Sequence, residues 1–256
     1  MGDNPLGEFL RARREAVSPT DAGLPTGPRR RTPGLRREEL AGLAGVSVEY
    51  LTRLERGRDR RPSPEVLAAI ARALRLDGDE HVHLLRLVKT AGGRSCAAAA
   101  ERPPVRPTVR LLLDRLDPAP AVLIDMSGEV LACTGAFRKL AGPAGVLDAA
   151  SIPRFVFTDP RARTTFPEWA AIADEWAARL RSAADLTDPF AADVAAELAL
   201  TPGSDFAERY AAATRVPRWT GAERWMHPDR GELHLEYEAL AVPGTDEHRV
   251  LVYLER

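Results

Sequence analysis

The stretch RREELAGLAGVSVEYLTRLERGR, residues 36–58, decides the fold of the N-terminal part of this chain. Helical periodicity runs through its first nine residues, breaks at Gly45 and resumes after Ser47. Glycine permits a tight connection between two helices, and a serine at this position can cap the second of them. At 100° per residue, Leu51 and Leu54 share one face of that second helix. The pattern therefore predicts two short helices joined by a tight turn, the second buried along one side.

The opposite face of the second helix is polar. Its outward side chains are Glu49, Thr52, Arg53 and Arg56. A helix that is supported from behind and polar in front can enter the major groove of DNA, which is about 12 Å wide. There Arg53 can bond both O6 and N7 of a guanine, and Glu49 can accept a hydrogen bond from cytosine N4. The segment is therefore a candidate reader of double-stranded DNA.

From Arg37 to Gly57 the sequence resembles the Cro/repressor-type (Xre-like) helix-turn-helix regulators, with Arg37 in place of the usual glutamine. The resemblance implies an all-α, five-helix, lambda-repressor-like domain over about residues 5–90. It also implies that Arg14 and Glu55 form a structural pair between the first and third helices. Arginines at the start and after the end of the motif would hold phosphates, and side chains between them would reach base edges or flanking phosphates. The positions assigned to DNA are Arg37, Ser47, Val48, Glu49, Thr52, Arg53, Arg58, Arg60 and Arg61.

An insertion rich in proline and glycine, residues 18–34, separates the first helix from the second and cannot be a continuous helix. It carries the run Arg29–Arg31. Two interpretations of this run stay open, because such a loop can be solvated surface or can contact the minor groove or the phosphates of DNA.

The length and the composition of the chain indicate two domains. Its 256 residues exceed a typical single domain of roughly 100–200 residues. Residues 91–107, with two glycines followed by three prolines, have the composition of a linker. We therefore predict a DNA-binding domain over residues 1–90 and a second domain over residues 108–256. The first 90 residues carry 17 basic and 13 acidic side chains and the remainder 19 and 24, a balance that favours a phosphate-rich partner for the first domain.

Alternation of apolar and polar residues predicts strands in the second domain. The clearest case is ELHLEYEALAV, residues 232–242, in which Leu233, Leu235 and Tyr237 alternate with polar neighbours. Further strand patterns lie at 121–125, 129–134 and 249–255, and helical patterns at about 134–141, 166–185, 189–200 and 204–213. Strands at both ends of a helical middle indicate an α+β domain with an antiparallel sheet.

The wider chain resembles the MmyB-like branch of these regulators. The resemblance rests on the insertion before the second helix and on the segments PAPAVLIDMSGEVLA (118–132), RFVFTDPRAR (154–163) and HPDRGELHLEYEAL (227–240). It implies a PAS-like ligand-binding domain with an apolar pocket for a small apolar ligand, such as a fatty acid or a similar amphiphile. Cys133 and Thr134 stand where an aromatic residue and asparagine are usual, which puts the entrance or the polarity of the pocket in question.

Aromatic side chains can line such a pocket or form a plain core, and the sequence leaves both interpretations open. The candidates for ligand binding are Phe137, Phe155, Phe157, Trp169, Trp176 and Tyr237, with Phe166 and Trp219 as further aromatics.

The residue pattern gives little support for catalysis or metal binding. No GxSxG elbow, Walker loop or HExxH motif is present. The five histidines are scattered, and neither Cys96 nor Cys133 has a partner at CxxC spacing. No apolar run approaches the roughly 20 residues of a membrane span, and the N-terminus lacks an apolar signal segment. We therefore expect a cytoplasmic protein that is not an enzyme, uses no cofactor or metal and does not insert into a membrane.

The leading hypothesis is a transcriptional regulator whose first domain binds double-stranded DNA as a homodimer, on half-sites one helical turn apart. Its second domain then senses a small apolar, fatty-acid-like ligand. The alternative hypothesis makes the second domain a protein–protein interaction module, because the small, Ala-rich helix faces at 169–185 and 191–199 would suit a partner helix.

Overall fold

The computed structural model describes residues 4–25, 32–59, 61–91, 102, 104–242 and 248–256. The chain separates into two compact units, Met1–Cys96 and Ala97–Arg256. The Arg29–Arg31 run, Arg60 and most of the predicted linker lie outside the described residues.

Five helices make up the described part of the first unit, which confirms the prediction. They are α1 (Pro5–Ala16), α2 (Arg37–Ala44), α3 (Val48–Glu55), α4 (Pro64–Ala73) and α5 (Gly78–Ala91). Three of the starts are fixed locally by a side-chain cap. Asn4, Ser47 and Ser63 each accept a hydrogen bond from a backbone N–H three residues further on, at 3.2, 3.1 and 3.4 Å.

The predicted turn between α2 and α3 is confirmed. Gly45 ends α2 with φ at 67°, a left-handed conformation that strains residues with a Cβ. The side chains buried behind this turn are Leu40, Ala41, Leu51 and Leu54, each at most 1% exposed. Apolar contact therefore joins the two helices and leaves the other face of α3 turned outward.

The second unit is an α+β domain with a PAS-like sheet, as predicted. Its described elements are α6 (Pro107–Leu116), β1 (Ala121–Ile124), β2 (Val130–Cys133), α7 (Gly135–Ala141), α8 (Ile152–Thr158), α9 (Ala162–Thr165), α10 (Trp169–Asp185), α11 (Pro189–Leu200), α12 (Phe206–Ala212), β3 (Thr220–His227), β4 (Gly231–Ala241) and β5 (Arg249–Glu255).

The five strands form one antiparallel sheet in the order β2-β1-β5-β4-β3. The last strand of the chain, β5, lies at its centre between β1 and β4. The alternation predicted for β4 is confirmed, because Leu233, Leu235 and Tyr237 are buried. His234 and Glu238, on the other side of the strand, are exposed.

Apolar side chains cover both faces of the sheet. The larger core combines residues of α7 to α12 with alternate strand residues such as Val122 of β1. The smaller core joins Val109 and Leu113 of α6 to Leu123, the next residue of the same strand. Since neighbouring strand residues point to opposite faces, α6 and the remaining helices lie on opposite sides of the sheet.

Several elements differ from the prediction for physical reasons. The sequence did not predict β3, because in this edge strand only Trp225 and His227 are buried and the alternation is lost. It also did not predict α6, α8 or α9. The helix predicted from residue 166 begins at Trp169, because Phe166 is extended before Pro167.

The Ala-rich faces of α10 and α11 are used inside the second unit. Ala173 and Ala177 of α10 are buried in the larger core together with Ala191 and Ala195 of α11. The two helices pack against each other, and small side chains allow that close approach. The feature that motivated the interaction-module hypothesis is therefore explained by packing within the domain.

His83 gives the first unit a stability that depends on pH. Its ring lies 5.1 Å from that of Phe9, and burial, followed by the charge of Arg86, lowers its pKa to about 4. The unfolded chain binds this proton near pH 6.5, so the native state is favoured above that pH and loses the contribution as the pH falls toward 4. We expect the free energy of unfolding of the wild type to drop by about 3 kcal/mol more than that of His83→Phe between pH 7 and pH 4.

Urea unfolding followed by far-UV circular dichroism at both pH values measures this difference. All four tryptophans lie beyond residue 96, so their fluorescence identifies the separate transition of the second unit. The half-buried His81 provides the control substitution, His81→Phe. An identical pH dependence in the wild type and in His83→Phe would contradict the prediction.

Candidate nucleic-acid interface and ligand site

The outward surface of α3 carries five of the side chains predicted to contact DNA. Ser47, Val48 and Glu49 are exposed around its start, Thr52 is half-buried and Arg53 is exposed. The two hydroxyls are engaged locally. Ser47 Oγ accepts from the backbone as the helix cap, and Thr52 Oγ1 donates to the carbonyl of Val48 at 2.7 Å. Among these five side chains, Glu49 and Arg53 therefore carry the exposed charge.

Arg53 is oriented by its neighbours. Its guanidinium lies 5.5 Å from the centre of the Tyr50 ring, and its Nη2 is 4.0 Å from Asp59 Oδ2. Burial, then the charge of Asp59, raises the pKa of Tyr50, so this phenol stays neutral. The Arg53 side chain nevertheless remains 47% exposed and can reach acceptor groups outside the protein.

The arginines that follow α3 were predicted to clamp the DNA backbone. Arg58 and Arg61 are described and both are exposed. The backbone N–H of Arg61 donates to Asp59 Oδ1 at 3.4 Å. Arg60, the third of the set, lies outside the described residues.

A buried carboxylate connects the helices behind this surface. Glu55 has a side chain that is 0% exposed and accepts from Arg14 Nε at 2.7 Å and from Arg37 Nε at 2.6 Å. Arg14 Nη1 also donates to the carbonyl of Leu35 at 2.9 Å. The predicted pair of Arg14 and Glu55 is thus part of a larger network. Arg37, which the sequence analysis assigned to a DNA phosphate, binds Glu55 through its Nε. Its side chain nevertheless remains 40% exposed.

A groove of about 650 Å³ runs beside α3, between the start of α2 and the loop that precedes it. Three residues assigned to DNA line it together, namely Arg37, Val48 and Thr52. Arg36 and Arg56 line the same groove and are both exposed. The sequence placed Arg56 on the outward face without giving it a role, and Arg36 had no signal beyond its position next to the motif.

The six aromatic candidates for ligand binding lie together in the larger core of the second unit. Each is at most 8% exposed. They pack on one another and on neighbouring rings, as Phe157 does on Trp169 at 6.3 Å between ring centres. A surface groove of about 640 Å³ near α7 and the end of β5 is lined by none of the six. Their observed contacts are those of a core.

One polar group lies among these aromatics that the sequence did not reveal. Arg179 of α10 is 2% exposed, and its Nη2 donates to Tyr237 Oη at 3.1 Å. Burial raises the pKa of Tyr237 although the charge of Arg179 opposes the shift. Arginine in an amphipathic helix usually lies at the surface. The sequence around Arg179 therefore gave no indication that this side chain is buried.

The described residues contain neither a metal-binding cluster nor a membrane-spanning helix. Within the described ranges, no group of three or more His, Cys, Asp and Glu side chains is placed to hold a metal ion. Over the same part of the chain, no helix combines the length and the apolar composition that crossing a bilayer requires.

Two family models match the chain. A helix-turn-helix domain model covers residues 5–84, and the model of the MmyB-like transcription regulator ligand binding domain covers residues 105–256. Together with the fold, these matches define a transcription regulator that joins a helix-turn-helix DNA-binding domain to a ligand-binding domain. The chain belongs to the MmyB-like family of transcription regulators, which confirms the resemblance seen in the sequence. No curated protein matches it significantly.

Glu55 is expected to control the stability of the first unit. In Glu55→Ala the buried Arg14 loses its buried counter-charge, and breaking a buried pair from one side costs about 3–5 kcal/mol. The matched control is Glu15→Ala, which removes the 61% exposed partner of the same arginine and should cost less than about 1 kcal/mol. Urea unfolding by circular dichroism measures both, and equal losses in the two variants would contradict the prediction.

Proposed function

We propose that the first unit binds double-stranded DNA sequence-specifically by placing α3 in the major groove. The observation that carries the proposal is the two-sided character of this helix. Leu51 and Leu54 are fully buried, whereas Val48, Glu49 and Arg53 are exposed on the other side. Such a helix can approach base edges without losing its contacts to the core.

Some of the exposed charged side chains are assigned to the bases of DNA and others to its phosphates. Arg53 is assigned to a guanine and Glu49 to a cytosine, and Ser47, Val48 and Thr52 flank them. The phosphate contacts are assigned to Arg37, Arg58, Arg60 and Arg61, of which Arg60 rests on the sequence alone. The lining of the groove beside α3 supports adding Arg36 and Arg56 to this phosphate set.

We further propose that the protein binds as a homodimer, because helix-turn-helix heads read half-sites one helical turn apart on a two-fold site. Sedimentation of the complex with a short selected duplex should give two chains per duplex. One chain per duplex at saturation would refute the dimer.

Base contacts and phosphate contacts should respond differently to mutation. Arg53→Ala should relax specificity by about 1–3 kcal/mol at one base pair, because the guanine contact is lost. Arg58→Ala should weaken all sequences alike and lower the salt dependence by about one phosphate contact. Binding-site selection and salt titrations measure the two effects.

The control is Arg72→Ala, which removes an exposed arginine of α4 that has no assigned contact with DNA. It should leave both the selected sequence and the salt dependence unchanged. If Arg53→Ala and Arg58→Ala gave the same selected sequence and the same salt slope, the assignment of Arg53 to a base and of Arg58 to a phosphate would be wrong.

For the second unit we propose that the ligand is a small apolar amphiphile of the fatty-acid type, sensed in the cytoplasm. The match to a ligand-binding domain supports a small molecule, and the aromatic core provides apolar surroundings for it. The ligand would shift the population of DNA-binding states by no more than its difference in affinity for them.

An organic extract of the purified full-length chain should therefore contain an amphiphile. The comparison is the extract from a mock purification of cells that lack the chain, and mass spectrometry identifies any enriched molecule. Removal of the ligand should change the affinity for the selected operator. An extract without enrichment, together with no effect of added fatty acids on operator affinity, would refute this part of the proposal.

A further inference from the structure

The exposed apolar side chains of the second unit gather on one side of its sheet. Among the residues described there, the large apolar side chains that are exposed are Leu111, Leu112, Leu200, Met226, Leu240 and Leu254. Leu111 and Leu112 belong to α6, which lies on the side of the smaller core. Leu200 ends α11, one of the helices on the opposite side. The positions of the other three follow from the alternation within their strands.

Each of these three residues directly follows a residue that contacts the larger core. The pairs are Trp225 and Met226 in β3, Ala239 and Leu240 in β4, and Tyr253 and Leu254 in β5. Since successive strand residues point to opposite faces, the three exposed side chains point to the side of α6. Single exposed apolar residues are ordinary on a protein surface, whereas a group that shares one face indicates an interaction surface.

Helix α6 is apolar on two sides. One side is buried in the smaller core, whereas Leu111 and Leu112, which are turned away from it, are 62% and 51% exposed. Thr108 and Arg115 extend this exposed pair along the helix, because residues three and four apart are neighbours on its surface. We call Thr108, Leu111, Leu112 and Arg115 the α6 stripe. Apolar residues on two sides are typical of a helix that is covered from both.

A second apolar surface lies on the same side of the sheet, along β4 and β5. Leu240 and Leu254 are 50% and 56% exposed, and Glu236 stands opposite Leu254 in the register of the two strands. Glu238, on the same face of β4, is exposed as well. We call Glu236, Glu238, Leu240 and Leu254 the sheet patch. Its leucines are accompanied by two carboxylates, of which Glu236 pairs with Arg256 at 2.6 Å.

The two surfaces are complementary in charge. Helix α6 carries two arginines, Arg110 and Arg115, and one acid, Asp114. Since opposite charges attract and like charges repel across an interface, a basic apolar helix fits the acidic sheet patch better than it fits a copy of itself. Because α6 packs on its own sheet through its other side, its stripe is directed away from that sheet. A second chain is therefore needed to bring the two surfaces together.

We propose that the α6 stripe of one chain binds the sheet patch of a second copy of this chain. Two copies related by a two-fold axis then make the same contact twice, which closes the dimer. The leucines of both surfaces leave water, and the arginines of α6 come near Glu236 and Glu238. The inference rests on the proposed homodimer, because it names the surface that joins the second units of that dimer. It also requires that the dimer forms without DNA.

Sedimentation velocity of the full-length chain without DNA, over a series of concentrations, measures the dissociation constant of the dimer. Leu111→Glu places an acid in the α6 stripe, opposite the acidic patch, and Leu254→Lys places a base in the sheet patch, opposite the basic helix. Each variant alone should raise the dissociation constant about tenfold or more, because a charge enters an apolar contact beside like charges. Both side chains are exposed, so circular dichroism should show an unchanged fold.

The decisive measurement mixes the two variants in equal amounts. In a mixed dimer the intact stripe of the Leu254→Lys chain meets the intact patch of the Leu111→Glu chain, and the introduced charges in the second contact are opposite. The mixture should therefore dimerise about tenfold more tightly than either variant alone, or more. Native mass spectrometry identifies the mixed dimer when one variant carries an additional tag. A contact between two α6 stripes would instead leave Leu254→Lys as dimeric as the wild type.

The matched control is Leu200→Glu, because Leu200 is 84% exposed on the other side of the sheet. This variant receives the same charge as Leu111→Glu and should keep the dissociation constant of the wild type. The measurement on the wild type needs no variant and tests the proposal even if a substitution disturbs the fold.

The outcomes separate this inference from the function on which it rests. A chain that is monomeric without DNA at its highest soluble concentration would overturn the inference, whereas two chains on one selected duplex would still support the proposed homodimer. A wild-type dimer that either variant preserves would overturn the inference as well. Loss of the dimer in both variants without recovery in the mixture would exclude the reciprocal contact. One chain per duplex, beside a DNA-free dimer that behaves as expected, would refute only the binding of DNA as a dimer.

Discussion

The arrangement of the first unit depends on the buried carboxylate of Glu55. It accepts from Arg14 of α1 and from Arg37 of α2, so one residue of α3 is tied to two other helices. Apolar contact through Leu51 and Leu54 fixes how deeply α3 is buried but is not directional. The ionic network adds direction, because guanidinium and carboxylate groups bond in defined geometry. A helix that presents its polar face to DNA, as proposed for α3, would need both kinds of support.

The same network links stability to the proposed function. Arg37 uses Nε to bind Glu55, and its side chain still reaches the groove beside α3. A residue assigned to a DNA phosphate is therefore positioned by the group that holds the fold together. This arrangement would hold the guanidinium in place before the proposed contact with DNA, and pre-organisation of this kind lowers the entropic cost of binding.

The buried charged side chains of the two units have different partners. In the first, one acid receives two arginines and its oxygens are satisfied. In the second, Arg179 is enclosed by aromatic rings, and its Nε forms an ion pair with Glu175 Oε1 at 3.6 Å, a distance longer than a hydrogen bond. A fully satisfied buried network rigidifies a core and specifies its arrangement.

By itself the sequence determined the features that depend on local geometry. Gly45, Ser47 and the spacing of Leu51 and Leu54 specify the helix-turn-helix, because turn conformation, capping and helical period act over a few residues. The alternation in β4 specified a half-buried strand in the same way. The resemblance of these segments to known regulators also identified the family, with its helical first domain and its α+β second domain.

Only the tertiary structure decided where charge is buried and which side chains meet. Arg179 is separated from Tyr237 by 58 residues and from Arg218 by 39, so no local pattern could place them together. The edge strand β3 escaped prediction because its neighbours, rather than its own alternation, determine its burial. Arg37 likewise became a partner of Glu55 only when α2 and α3 packed. Local sequence sets the backbone conformation, whereas the free energy of a buried charge depends on residues that the chain brings together from far apart.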